Sequence, residues 1–182
     1  MPQILSKCAG DIVWASEGLR DMGYEMFNLN LGCPSATVTA KGKGAGLLQK
    51  PDALDALLAG VFSGSPIGVS LKSRIGFLSP DEFPPLLDIY RKYAARELIL
   101  HPRTRKEMYA GAVHTDAFDR AAAESPFPVV YNGDLFTAED VRAFERTHPE
   151  TEAVMLGRGA AADPALFRRL RGGAPARREE LR

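Results

Sequence analysis

The chain has 182 residues, 45% hydrophobic and 25% charged, which is enough for one domain with a substantial core. Its 23 Lys and Arg balance 23 Asp and Glu, so overall charge gives no support for nucleic-acid binding while leaving room for a local basic patch. Two cysteines, Cys8 and Cys33, exclude a disulfide framework and point to a reducing cytoplasm, and neither a membrane span nor a secretory signal is visible.

In chain order, Gln3 to Ser6 reads as a short strand and Asp11 to Met22 as a helix stopped by Gly23. A strand at Met26 to Leu31 meets the breaker Gly32-Cys33-Pro34, and a glycine-rich run, Gly42 to Gly46, follows. Helical spacing over Leu47 to Phe62 has Pro51 in its first full turn. Ile67 to Lys72 is the next strand, and Asp81 to Ala95 the next helix, with Pro84 and Pro85 tolerable only near its start. Then come a strand at Glu97 to His101, a helix at Thr115 to Ala123 and a strand at Pro128 to Asn132. Thr137 and Asp140 form a capping-box pattern at the start of another helix. Ala153 to Leu156 reads as the last strand and Ala165 to Leu170 as a final helix, ahead of an arginine-rich tail.

About six strand–helix units in alternation predict an α/β fold with a mostly parallel sheet. The candidates are a partial TIM (β/α)₈ barrel and an open doubly wound sheet. A full barrel takes ~250 residues, which leaves this chain about two units short.

Unusual polar residues fall at successive strand ends: Cys33, then Lys72 and Arg74, then His101 and Arg103, then Asn132 to Asp134, then Gly157 and Arg158. In both architectures that is the ligand face. Asn132-Gly133-Asp134 and Gly157-Arg158-Gly159 suit a phosphate, because small residues let backbone N–H groups approach it and an arginine adds a bidentate donor. Lys72 and His101 together suit an electron-rich or anionic cofactor. Cys33 reads either as a reactive thiol or as a small buried hydrophobe. Gly42 to Gly46 lacks the spacing of an ATP-binding loop, His114 and His148 read as surface residues, and no spaced ligand pairs suggest a metal.

Leu29-Asn30-Leu31-Gly32-Cys33-Pro34 with Gly42-Lys43-Gly44-Ala45-Gly46 resembles the signature of tRNA-dihydrouridine synthases. So do Val69 to Gly76, His101-Pro102-Arg103-Thr104-Arg105 with Tyr109-Ala110-Gly111, Asn132 to Phe136, and Val154 to Ala160. The resemblance runs from about Gln3 to Phe167. It implies a flavin-binding barrel using FMN, with NADPH as reductant, to reduce the C5–C6 double bond of uridines in tRNA. It implies Cys33 as the proton donor to C5. Gln3, Lys72 and His101 match the family's flavin contacts, and Asn132, Gly133, Asp134, Gly157 and Arg158 those around the flavin phosphate. Asn30 and Arg103 fall in signature positions expected near the substrate.

Relative to that family, the first two barrel strands and most of the C-terminal helical RNA-binding domain are missing from the pattern. The expected division is an incomplete barrel over 1–167 and a polar stub over 168–182 that carries Arg168, Arg169, Arg171, Arg177, Arg178 and Arg182. That stub reads either as phosphate-binding or as a solvated tail. Two other functions stay open: an inactive or non-catalytic remnant of the barrel, and another FMN barrel reductase acting on a free pyrimidine.

Overall fold

A computed structural model describes residues 1–181, apart from the side chains of Arg178 and Leu181. Five strands form one sheet: β1 (Gln3–Ile4), β2 (Met26–Asn30), β3 (Gly68–Arg74), β4 (Leu98–His101) and β5 (Val129–Tyr131). All pair in parallel, and the order in space is the order in sequence. A doubly wound sheet reverses its strand order at a switch point. This sheet never reverses, so its winding is that of a β/α barrel, and among the described residues the barrel does not close.

Helices α1 (Ala9–Asp21), α2 (Ala36–Thr39), α3 (Pro51–Gly64), α4 (Phe83–Tyr90), α5 (Thr115–Glu124) and α6 (Ala138–Thr147) fall between or after the strands. Short helices α7 (Arg158–Ala162) and α8 (Leu166–Leu170) follow. Phe27, Leu29, Leu71, Leu98 and Leu100 of the strands are fully or almost fully buried, as are Leu54, Leu58 and Leu87 of the helices. The alternate positions on the strands carry a polar ladder. Gln3 Nε2 donates to Asn28 Oδ1 (2.7 Å), Asn28 Nδ2 to Ser70 Oγ (2.9 Å), and Ser70 Oγ to Glu97 Oε1 (2.9 Å). The period-2 alternation of a strand puts apolar side chains on one face and this ladder on the other.

The capping box of α6 is complete: Asp140 N donates to Thr137 Oγ1 (3.0 Å) and Thr137 N to Asp140 Oδ2 (2.8 Å). Beneath α6, the Tyr131 and Phe144 rings stack at 4.1 Å, and the Phe144 and His148 rings at 4.2 Å. His148 is therefore a packed ring, not a free surface group. His114 is also half-buried, with Nε2 2.7 Å from Glu107 Oε1.

Three elements differ from the sequence expectation. The helix over Leu47 to Phe62 splits into a 3₁₀ segment, Gly44–Gln49, and α3. Pro51 disfavours helical geometry at the residue before it, and Lys50 is non-helical there (φ −134°, ψ 74°). The strand Ala153 to Leu156 is a single bridge between Val154 and Tyr131, so five strands and a bridge stand where six strands were expected. The helix Asp81 to Ala95 opens as a 3₁₀ turn, Pro80–Glu82, and stops at Tyr90.

The arginine-rich stretch is not a free tail throughout. Arg168 pairs with Glu180 (2.8 Å), Arg169 pairs with Asp163 (2.9 Å), and α8 crosses residue 168. Arg182 and the side chain of Arg178 lie outside the described residues. No helix among the described residues is long and apolar enough to cross a membrane.

Candidate active site

The strand ends converge on a cleft of about 330 Å³. β2 ends at Asn30, whose Oδ1 accepts from Gly32 N (3.1 Å) and Cys33 N (2.9 Å). This side-chain turn holds the backbone of the thiol residue. Gly44 supports the loop from behind. A methyl group there would lie 2.9 Å from both Cys33 Cβ and Cys33 O, and its φ of +55° is one that L side chains rarely adopt.

β3 contributes Lys72 and Arg74 two positions apart, hence on one face. Lys72 Nζ donates to Asn132 Oδ1 (2.6 Å), and Asn132 Nδ2 donates to Met155 O (2.8 Å), which ties β3 to the last loops. Burial and the nearby Arg74 charge bring the Lys72 ammonium down to about 8. Arg74 is 2% exposed. Its Nε donates to Gly32 O (3.1 Å), and its Nη1 to Thr104 O (2.9 Å) and Met108 O (2.7 Å). One guanidinium thus ties the end of β3 to the loops after β2 and β4. Met108, with φ 55°, is held in the left-handed region by a loop that this bond helps to fix.

β4 ends at His101, which is buried, and its Nε2 has no hydrogen-bond partner among the described residues. Burial, then the Arg74, Lys72 and Arg103 charges, holds the imidazole down to about 3, so it is neutral at pH 7. Arg103 is also buried. It forms a fork to Asp134 (Nη1–Oδ1 2.7 Å, Nη2–Oδ2 2.5 Å) and donates to Gly111 O. Arg158 Nη2 meets Asp134 Oδ1 from the open side at 2.5 Å. Its guanidinium lies over the rings of Tyr109 (4.6 Å) and Phe136 (4.9 Å), and Arg74 approaches Tyr109 as well (5.2 Å). Arg103 above all, then the other nearby cations, holds the Asp134 carboxyl below the usual range.

Cys33, Asn30, Lys72, His101, Asn132, Gly133, Asp134, Gly157 and Arg158 all line this cleft. Gln3 and Arg103 do not. Gln3 sits on β1, one hydrogen bond from the site, its Oε1 accepting from Asn30 Nδ2 (2.9 Å). Arg103, expected near the substrate, has a side chain only 1% exposed and lies behind Asp134. Its five donors in a planar fork suit a carboxylate inside the fold. Sequence reasoning set Arg74 at a strand end on the ligand face and Tyr109 in the family signature but gave neither a specific role, and both line the cleft. The signal for Arg74 was present, since it shares a strand face with Lys72. Tyr109 arrives on the loop after β4.

Arg103 and Arg158 pair with Asp134, the one carboxylate that lines the cleft among the described residues, and Lys72 and Arg74 have no carboxylate partner there, so the cleft is electropositive. Its floor offers an unpartnered buried imidazole nitrogen beside an ammonium, and an arginine stands at its open end. A planar, acceptor-rich ligand with an anionic end matches that donor set.

The family model described as dihydrouridine synthase (Dus) matches residues 2–179. The tRNA-dihydrouridine(16) synthase of Cupriavidus necator is 36% identical over 181 aligned residues, which cover 94% of this chain and 54% of the relative. The tRNA-dihydrouridine synthase B of Pasteurella multocida is 30% identical over 149 residues, covering 81% of this chain and 45% of the relative. The chain thus spans about half the length of the curated relatives it matches. DHODH from Eimeria tenella, solved in complex with ferulenol, resembles it with a TM-score of 0.60 at 15% identity, over 87% of this chain and 51% of that one. That likeness is one of fold. With a match running almost end to end and the strand-end cleft in place, the chain belongs to the dihydrouridine synthase family.

Proposed function

We propose that this chain carries the catalytic cleft of a tRNA-dihydrouridine synthase, a cytoplasmic oxidoreductase that reduces the C5–C6 bond of a uridine in tRNA. The observation that carries this reading is one electropositive cleft at the strand ends that holds both the Cys33 thiol and the unpartnered His101 nitrogen.

FMN fits the donor set. Lys72 and His101 would hold the flavin ring system, with Gln3 acting from β1 through Asn30. Asn132, Gly133, Asp134, Gly157 and Arg158 would hold its phosphate end. When bound, FMN reduced by NADPH supplies the hydride that uracil C6 receives. The residues of the chain do the rest. Asn30 fixes the Cys33 backbone, so the thiol has one position from which to give its S–H proton to C5. A hydride at C6 and a proton at C5 together make the dihydro ring. Arg103 orients Asp134 from behind instead of touching the substrate. The uridine must leave its stack to reach the cleft, as bases do in other base-modifying enzymes.

The test is a visible absorption spectrum of the protein with added FMN, followed by turnover on tRNA and on free uracil for the wild type and Cys33→Ala. The expected result is retained flavin, reduction of tRNA uridine but not of uracil, and a loss of ~100-fold or more in Cys33→Ala with flavin still bound. Failure to retain FMN, or undiminished turnover in Cys33→Ala, overturns the reading.

A further inference from the structure

Three lysines come together beside the thiol loop. Lys7 lies in the loop after β1, and Lys41 and Lys43 lie in the loop that leads from α2 to the 3₁₀ segment. The first loop leaves the carboxyl end of β1 and the second belongs to the connection that leaves the carboxyl end of β2, so both lie toward the face that holds the cleft. A methyl group on Gly42 would sit 3.8 Å from Lys7 Cδ and 3.9 Å from Lys7 Nζ, so Lys7 lies across the turn that Lys41 and Lys43 flank. One residue after Lys43, Gly44 touches Cys33. Lys7 and Lys41 are exposed and Lys43 is half-buried.

Among the described residues, none of the three forms a salt bridge. Asp11, a nearby acid in sequence, accepts instead from Ser6 Oγ (3.2 Å). Several exposed cations on the helical side are paired, Lys92 with Asp55 and both Arg91 and Arg120 with Glu124, whereas Arg146 of α6 has no salt bridge among the described residues. On the other flank of the thiol, Arg105 Nε donates to Pro34 O (3.2 Å), its guanidinium rests over Phe77, and it too has no carboxylate partner among the described residues. Unpaired cations therefore bracket Cys33 in a chain whose formal net charge is zero. Clustered like charges repel, and a polyanion is the partner that relieves the repulsion.

We propose that Lys7, Lys41 and Lys43 form a phosphate grip for the RNA strand next to the nucleotide presented to Cys33. This rests on the function proposed above and assigns its RNA contact to a patch outside the cleft. The grip acts on backbone phosphates, so it adds affinity and positioning without reading sequence.

The test compares the wild type with a triple variant, Lys7→Ala, Lys41→Ala and Lys43→Ala. The readouts are tRNA affinity from about 50 to 200 mM salt, and FMN uptake by absorbance. A second triple variant carries Lys→Arg at the same positions, and Lys92→Ala is the control for a cation outside the patch. The alanine variant is expected to take up FMN normally and to bind tRNA ~10- to 100-fold more weakly at the lowest salt. The slope of log affinity against log salt should fall by roughly 2 to 3. The arginine variant restores both quantities, and Lys92→Ala changes neither. Unchanged affinity and slope in the alanine variant, beside a wild type that binds FMN and tRNA, overturn the grip alone. A wild type that binds neither overturns the functional reading and the grip with it.

Discussion

Arg74 and Arg158 both place a guanidinium against the ring of Tyr109, yet they belong to different parts of the molecule. Arg74 is buried in the floor of the cleft and bonds only backbone carbonyls, those of Gly32, Thr104 and Met108. Arg158 stands on the rim with 44% of its side chain exposed and bonds one carboxylate, that of Asp134. A cation held by three carbonyls from two loops is part of the framework, because no ligand can replace those acceptors without unfolding a loop. A cation resting on a half-open carboxylate can change partner, because an incoming anion offers the same kind of acceptor. The floor is built to keep its geometry and the rim to exchange contacts.

The sharpest challenge to this division is a pair of variants. Arg74→Met leaves three carbonyls short of a donor and is expected to cost about 3–5 kcal/mol in urea denaturation. Arg158→Met is expected to stay within ~1 kcal/mol by the same measurement, since an exposed ion pair contributes little. Its effect belongs in FMN affinity, at roughly tenfold. Equal losses of stability would erase the distinction between floor and rim.

Asp134 sits between the two regions and should show an intermediate effect. Asp134→Asn strips the charged partner from Arg103, which is only 1% exposed, and is expected to cost about 2 kcal/mol. The value is below that of a fully buried pair because a third of the Asp134 side chain is exposed. Denaturation at neutral pH measures it, and a cost near zero would move Arg103 from the framework to the rim.

The effect that is smallest at neutral pH, where it vanishes, is proton linkage at His101. Its folded pKa is about 3 against an ordinary value of 6.5. Between those values the unfolded chain binds more protons than the folded one, so this histidine makes stability rise with pH up to 6.5 and fall on acidification. The slope is at most ~1.4 kcal/mol per pH unit. Denaturation from pH 4 to 6.5 should give a shallower acid-side slope for His101→Gln than for the wild type. Parallel curves would mean that the imidazole is not confined in the floor.

Much of the frame was legible in the residues. The apolar runs that became β2, β3 and β4 end at breakers or strand-end cations, and the Thr137–Asp140 pattern marked the start of α6 to the residue. The run at Ala153 misled because four apolar residues suffice for a strand only if a neighbour pairs along them, and here Tyr131 meets Val154 alone. Gathering at strand ends foretold most of the cleft, since βα loops share one face whatever the details of packing. Arg103 could not be placed that way. Its burial depends on Asp134, 31 residues further on, and on a left-handed backbone at Asp134 (φ 29°) that no local pattern announces. The place of Tyr109 in the cleft was not legible for a similar reason, as its ring packs against arginines from β3 and α7.

Gly44 places the thiol under a control that no contact inside the cleft exerts. With Cys33 Cβ 2.9 Å from where a side chain would begin, even one added carbon must shift the loop that carries the thiol. A catalytic atom shifted by about 1 Å can lose on the order of 100-fold in rate. The position of the sulfur is thus metered by an empty space beside its own loop, and the residue that sets it does not line the cleft.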